Sequence, residues 1–417
     1  MKMRIIKGGK LIDGNGGVPV EKSVVVVEGA KIVFVGKDGE FPIPQGADVE
    51  IINGEGKTVM PGLVDSHVHI YTNGESREFR TLAIYNNSLA LAMKSIPRLK
   101  RTLEMGITTL RDGGSGWGWL EVALRDAINR GDIVGPRFYT SGYHLTVTGG
   151  HGYFMPPWLP PINEQSSVHC DGPEGWRKAA RLQIYNGVDN VKLVASRGFL
   201  STTRAGDVPT TSQASLEELK AAVDEAHKMG KKCSVHANGH EAIMNSIEAG
   251  VDSIVHGFGM DEECAEMMVK RGVFLEATTL TIRRVMERGA GELPDAMVER
   301  AIEYWKIKHK EFRMILEKGV KVCFASDMGM AYLYHGENAR ELSSLVDLGM
   351  TPMAAIVSGT KTAAQVIGIE DQVGTIAAGK MADIILIDGD PLKDIGILHA
   401  ENKIGMVMKE GKIIISR

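Results

Sequence analysis

Several of the twelve histidines in this 417-residue chain close short apolar runs. His67 and His69 come first, in Pro-Gly-Leu-Val-Asp-Ser-His-Val-His at 61–69. On a strand, residues i and i+2 point to one side, so two imidazoles at this spacing can grip one metal ion. Alone, the pair reads equally as an alternating polar face. Lys192 interrupts the apolar Val-Lys-Leu-Val at 191–194. Buried lysine is rare because desolvating its charge is costly. A depressed pKa is one solution; a neutral amine can then add carbon dioxide, giving a carbamate able to bridge two cations. The other solution is a lysine at the strand mouth with its amine in water. His236 and His256 end Cys-Ser-Val-His and Ser-Ile-Val-His, and Asp327 follows the apolar Val-Cys-Phe-Ala-Ser. Each of these, taken singly, is as well explained as a satisfied polar core residue.

The elements that carry these residues repeat. Apolar runs at 63–69, 108–111, 136–141, 190–194, 232–236, 253–256, 273–277 and 322–326 alternate with amphipathic stretches at 81–104, 119–130, 173–186, 216–229, 241–249, 262–271 and 295–318. Ser215 and Glu218 form a capping box before one of them. Eight strand–helix alternations predict a closed parallel (β/α)8 barrel, TIM-like, over residues 62–370. Short β-like runs at both ends predict a small β-sandwich made of 1–61 and 371–417, since chain termini often lie together. His67, His69, Lys192, His236, His256 and Asp327 then fall at one end of the barrel, where active sites of this fold form. The stretch 142–171 is long, aromatic and proline-rich, and a loop of that length is usually functional.

Composition bounds the function. The net charge of −4 from 48 basic and 52 acidic residues supplies no positive field for nucleic acid or an anionic membrane. The four cysteines are widely spaced with no Cys-X-X-Cys, which excludes a zinc ribbon or a thioredoxin motif. No apolar run approaches the roughly 20 residues that span a bilayer. A soluble, cytoplasmic protein is expected.

The chain resembles the amidohydrolase superfamily over nearly its whole length. The resemblance rests on Pro-Gly-Leu-Val-Asp-Ser-His-Val-His, on Gly-Ile-Thr-Thr-Leu-Arg-Asp at 106–112 and on Gly-Thr-Ile-Ala-Ala-Gly-Lys-Met-Ala-Asp-Ile at 374–384. It is most similar to the imidazolonepropionase-related branch that includes metal-dependent prolidases (Xaa-Pro dipeptidases) and carboxypeptidases. The resemblance implies two divalent ions, with zinc expected. His67, His69 and Asp327 would bind the first, His236 and His256 the second, and carboxylated Lys192 would bridge them. Asp327 would also shuttle protons. Thr-Gly-Gly-His-Gly at 148–152 resembles a substrate-contacting motif of that branch and gives His151 this role. His144, Arg197, Asn238 and His335 are further candidates to line the pocket. Two departures separate the chain from the peptide-cleaving pattern: Asn238, where those relatives often carry tyrosine, and Ala-Ser-Arg-Gly-Phe-Leu after the strand of Lys192.

The expected activity is hydrolysis of an amide or peptide bond in a small molecule, such as a dipeptide or an N-acyl amino acid, by a hydroxide held between the ions. The alternatives are hydrolysis of a carbamate, urea or cyclic amide, a mononuclear deaminase, and a non-catalytic binding protein on the same scaffold. A small-molecule substrate and a homo-oligomer are the expected partners.

Overall fold

Four consecutive valines, Val24–Val27, are all buried, so the strand that carries them, Val20–Glu28, is covered on both faces. It pairs antiparallel with Met3–Leu11 and with Lys31–Lys37. Met3–Leu11 also pairs in parallel with Val49–Asn53 and Lys57–Pro61. Lys57–Pro61 joins the two chain ends by pairing antiparallel with Ile384–Asp388. Ile404–Lys409 and Lys412–Ser416 complete one mixed eight-stranded sheet. The sandwich read from the sequence is therefore a single sheet drawn from both termini, with separate apolar clusters around Ile6 and Leu386 and around Ile5 and Val24. This computed structural model describes residues 2–43, 45–46, 48–75, 87–114, 116–151, 167–198, 208–293 and 295–417.

The middle of the chain is α/β. Leu63–Val68, Ile107–Asp112 and Arg137–Tyr139 form one parallel sheet. A second runs in the order Ser167–His169, His144–Thr146, Asn190–Val194, Lys232–Ala237, Ser253–His256, Phe274–Glu276 and Val322–Cys323. Every residue of Leu63–Val68, Ile107–Asp112 and Asn190–Val194 is buried, as strands covered by helices on both faces require. Among the described residues no continuous ladder closes the two sheets into one barrel, but backbone bonds bridge both gaps. Asp189 N and Asn190 N donate to Thr140 O at 2.9 and 3.1 Å, and Asp327 N donates to His67 O at 2.8 Å. His69 N donates to Met328 O at 2.7 Å, so the last strand's exit lies beside the first strand.

Helices fill the intervals as expected, including Leu216–Lys228 with both halves of the Ser215–Glu218 capping box formed. The expected helix at 81–104 is described from Ser88; residues 81–86 lie outside the described residues. The stretch 142–171 carries two short parallel strands, His144–Thr146 and Ser167–His169; its residues 152–166 lie outside the described set. Thr279–Arg288 is a helix the apolar pattern does not show, because four of its ten residues are charged.

Candidate metal centre

The polar residues of the parallel strands converge at one end. His67 lies in the first strand and His69 one residue past it. His236 sits near the end of Lys232–Ala237, and His256 ends Ser253–His256. Their rings form a chain: His69 to His67 at 5.1 Å between centroids, His67 to His256 at 5.9 Å, and His256 to His236 at 4.5 Å. Asp327 Oδ1 lies 3.5 Å from His67 Nε2 and 3.3 Å from His69 Nε2. Ligand atoms of His67, His69 and Asp327 all fall within 4.8 Å of one another. His256 and Asp327 both hold positive φ, 72° and 57°. Strain of this kind in non-glycine residues persists where surrounding contacts enforce it, and it clusters at functional sites.

Three rings have one nitrogen engaged by the protein. His69 Nδ1 donates to Gly114 O at 3.2 Å, leaving Nε2. His256 Nδ1 meets Thr278 Oγ1 at 2.7 Å, again leaving Nε2. His236 Nε2 lies 3.0 Å from Arg197 O and 3.1 Å from Asn238 Nδ2, leaving Nδ1. Engaging one nitrogen through a protein group is how ligating imidazoles are oriented.

Lys192 is 3% exposed, and its Nζ has no hydrogen-bond partner among the described residues. Burial pulls its pKa to about 7, against the nearby Glu276 carboxylate, which raises it. The buried position, and not the snorkelling one, is therefore the one adopted, and much of the amine is neutral near pH 7. Burial and then the Lys192 charge lower the His67 and His151 rings to about 3. Burial alone would raise the Asp327 carboxyl, but His67 and His69 outweigh it and hold the group well below the usual carboxylate range. Burial likewise holds the His236 and His256 rings below the ordinary imidazole range, so these buried rings surround the Asp327 carboxylate and the Lys192 amine.

His151 is brought in: its ring stacks on His236 with centroids 4.3 Å apart. His144 is buried beside it at 6.4 Å, its Nε2 without a partner among the described residues. Asn238 is buried and fixed by Phe258 N, which donates to its Oδ1 at 3.1 Å. Arg197 reaches the site through its backbone carbonyl. His335 is half-buried against the turn after His69, where its Nε2 donates to Thr72 O at 2.9 Å.

Sequence reasoning passed over Glu276 and Arg111. Glu276 is fully buried and ion-paired with the equally buried Arg111. Its Oε1 accepts from Ser253 Oγ at 2.5 Å and its Oε2 from Ser66 Oγ at 3.1 Å. Oε2 is also 3.9 Å from His67 Nδ1. The available signal was the one that singled out Lys192, a charge inside an apolar strand.

Residues 58–414 match the amidohydrolase family model. The chain belongs to the amidohydrolase family. It is 30% identical over 430 residues to ochratoxinase of Aspergillus niger, covering 99% of this chain and 86% of that one. A Xaa-Pro dipeptidase solved with methionine bound in its active site is 32% identical, with TM-score 0.86 and 99% of both chains covered. A prolidase solved with N-methylphosphonate-L-proline is 31% identical, with TM-score 0.88 and full coverage of both chains. Imidazolonepropionases are among the further relatives. This amidohydrolase is thus an amide carbon–nitrogen bond hydrolase of the branch its motifs indicated.

Proposed function

We propose that this amidohydrolase holds two divalent cations, zinc being the expected species, and cleaves an amide or peptide bond in a small molecule of the dipeptide or N-acyl amino acid class. The observation that carries the reading is the convergence of four imidazoles, Lys192 and Asp327 with donor atoms left over. Asp327 Oδ1 and Lys192 Nζ are buried without hydrogen-bond partners among the described residues, and three rings each keep one nitrogen. Buried polar atoms are otherwise almost always paired, so a cation group fits this donor set. His67, His69 and Asp327 would hold one ion and His236 and His256 the other, with Lys192 bridging as its carbamate. In the same reading the two parallel sheets act as one (β/α)8 barrel.

Cations bound there would supply Lewis acidity toward a substrate carbonyl and lower the pKa of a water molecule. The chain's own residues do the rest. Asp327, kept ionised by His67 and His69, can accept a proton at Oδ1 and return it to the departing nitrogen. His151 and His144 flank the ligand cluster and are positioned to hold the substrate's polar groups. The relatives that act on proline dipeptides support a substrate whose amide nitrogen belongs to an amino acid. Asn238 and the 195–200 segment argue against assuming proline itself.

The test is a metal count on purified protein together with a hydrolysis screen of N-acyl amino acids and dipeptides. Two ions per chain and turnover of one of these classes is the expected result. One ion per chain would favour a mononuclear deaminase or cyclic-amide hydrolase. No ion and no turnover would favour a binding protein.

A further inference from the structure

The strand Phe274–Glu276 contributes no candidate ligand, yet its last residue and the turn after it meet three of them. We infer that Glu276, Thr278 and Thr281 are positioning residues, one segment orienting His67, His256 and Asp327 toward both ions; this rests on the metal reading above.

Each contact is specific in its atoms. Glu276 Oε2 faces the buried Nδ1 of His67 at 3.9 Å, while Arg111, Ser66 and Ser253 hold the carboxylate in place. That Nδ1 has no hydrogen-bond partner among the described residues, and at 3.9 Å Glu276 acts on it through its charge, not through a direct hydrogen bond. Thr278 Oγ1 lies 2.7 Å from His256 Nδ1. With Nε2 given to an ion, the proton of His256 sits on Nδ1, and the threonine hydroxyl is its acceptor. Thr281 Oγ1 donates to Asp327 Oδ2 at 3.0 Å, which turns Oδ1 toward His67 and His69.

The segment is itself anchored. Thr278 holds φ 46°, a strained value for a β-branched residue. The turn is pinned by Glu341, on the helix Arg340–Asp347, which accepts from Thr279 N at 2.8 Å, Thr279 Oγ1 at 3.0 Å and Leu280 N at 2.6 Å. The backbone of His256 is tied separately, by Lys308 Nζ donating to its carbonyl at 3.0 Å. Because His256 belongs to one ligand set and Asp327 to the other, a shift of this one turn changes both.

The experiment uses the full chain, stripped with a chelator and titrated with Co2+. Binding is followed by equilibrium dialysis and by the visible d–d bands. Thr278 and Thr281 are each replaced by Val, which keeps the volume and removes the hydroxyl, and by Ser, which keeps the hydroxyl and removes a methyl. Glu276→Gln keeps the shape and removes the charge. Loss of an orienting partner typically weakens metal affinity 10–100-fold, so Val and Gln variants should fall in that range, with altered d–d bands, while Ser variants stay within about threefold of the parent. Thr278→Val should weaken one of the two Co2+ ions and Thr281→Val the other. Parent-like affinity in the Val variants, or weak binding in the Ser variants, overturns the inference in favour of simple packing. Where a Val variant does not fold, the matching Ser variant decides alone: parent-like binding upholds the role and a tenfold loss removes it. A parent protein that binds no Co2+ removes the metal reading itself.

Discussion

The ring of His151 lies on the ring of His236, centroids 4.3 Å apart and planes 17° from parallel. His151 is thereby fixed against a candidate ligand without belonging to the ligand set. Its backbone N donates to Gln213 Oε1 at 3.0 Å, and Gly198 packs so closely that a methyl there would overlap the ring. His151→Asn should leave metal content and melting temperature unchanged while lowering kcat/KM. An unpaired polar substrate group costs about 1–3 kcal/mol, a drop of roughly five- to 150-fold at about 1.4 kcal/mol per tenfold. Gly198→Ala should reproduce that loss by displacing the ring. Unchanged kinetics in either variant, or metal lost with His151, contradicts the assignment.

Lys192→Ala should lose both ions and the activity. The vacated volume lies inside the ligand cluster, so short-chain carboxylic acids should enter it and restore part of each. Metal content and turnover with and without added acid check this, and a variant with intact metal and full activity rules the bridging role out.

Gly113 follows the second strand, and a methyl there would overlap the His67 ring. Its backbone N donates to Val68 O at 2.7 Å, so the loop cannot retreat without breaking that bond. Gly113→Ala should therefore weaken metal binding at the His67, His69 and Asp327 group by at least about tenfold, the lower end for a disturbed ligand shell. Parent-like affinity in a folded Gly113→Ala protein would show that the ring has room to move.

What was legible in the sequence follows from the parallel strands. Covered on both faces, they read as continuous apolar runs, and one polar residue in such a run stands out. Lys192 in Val-Lys-Leu-Val and His236 in Cys-Ser-Val-His are found this way. Glu276 and Arg111 carry the same signal, but an internal ion pair and a functional charge look alike before their partners are known. Thr278 and Thr281 carry no signal, because their hydroxyls matter only through a turn held by Glu341, some sixty residues onward. The single terminal sheet was also hidden: alternation marks strands but does not say which pairs with which, and Lys57–Pro61 has too short an apolar core to show a period. His335 was picked out by type alone, and its bond to Thr72 O joins residues 263 apart in the chain, which no local pattern shows.

Glu341 makes a pH test of that hidden support. Burial pushes its carboxyl up from the ordinary 4.5 to about 8, although the donors at Thr279 and Leu280 pull it back in part. An acid whose folded pKa is raised favours the folded state fully below the unfolded value. That contribution is lost as pH climbs through the folded value. Between about pH 4.5 and 8 the folded chain holds a proton the unfolded chain has released, so stability declines by at most about 1.4 kcal/mol per pH unit from this group. Gln cannot ionise and mimics the protonated acid. The stability of Glu341→Gln relative to the parent should therefore rise as pH goes from 5 to 8. Urea midpoints of both proteins across that range provide the measurement, and taking the difference cancels the titrations they share. A difference that stays flat, or that moves against the variant as pH rises, would mean the three donors keep Glu341 ionised throughout, with the turn at Thr278–Thr281 held by a charge.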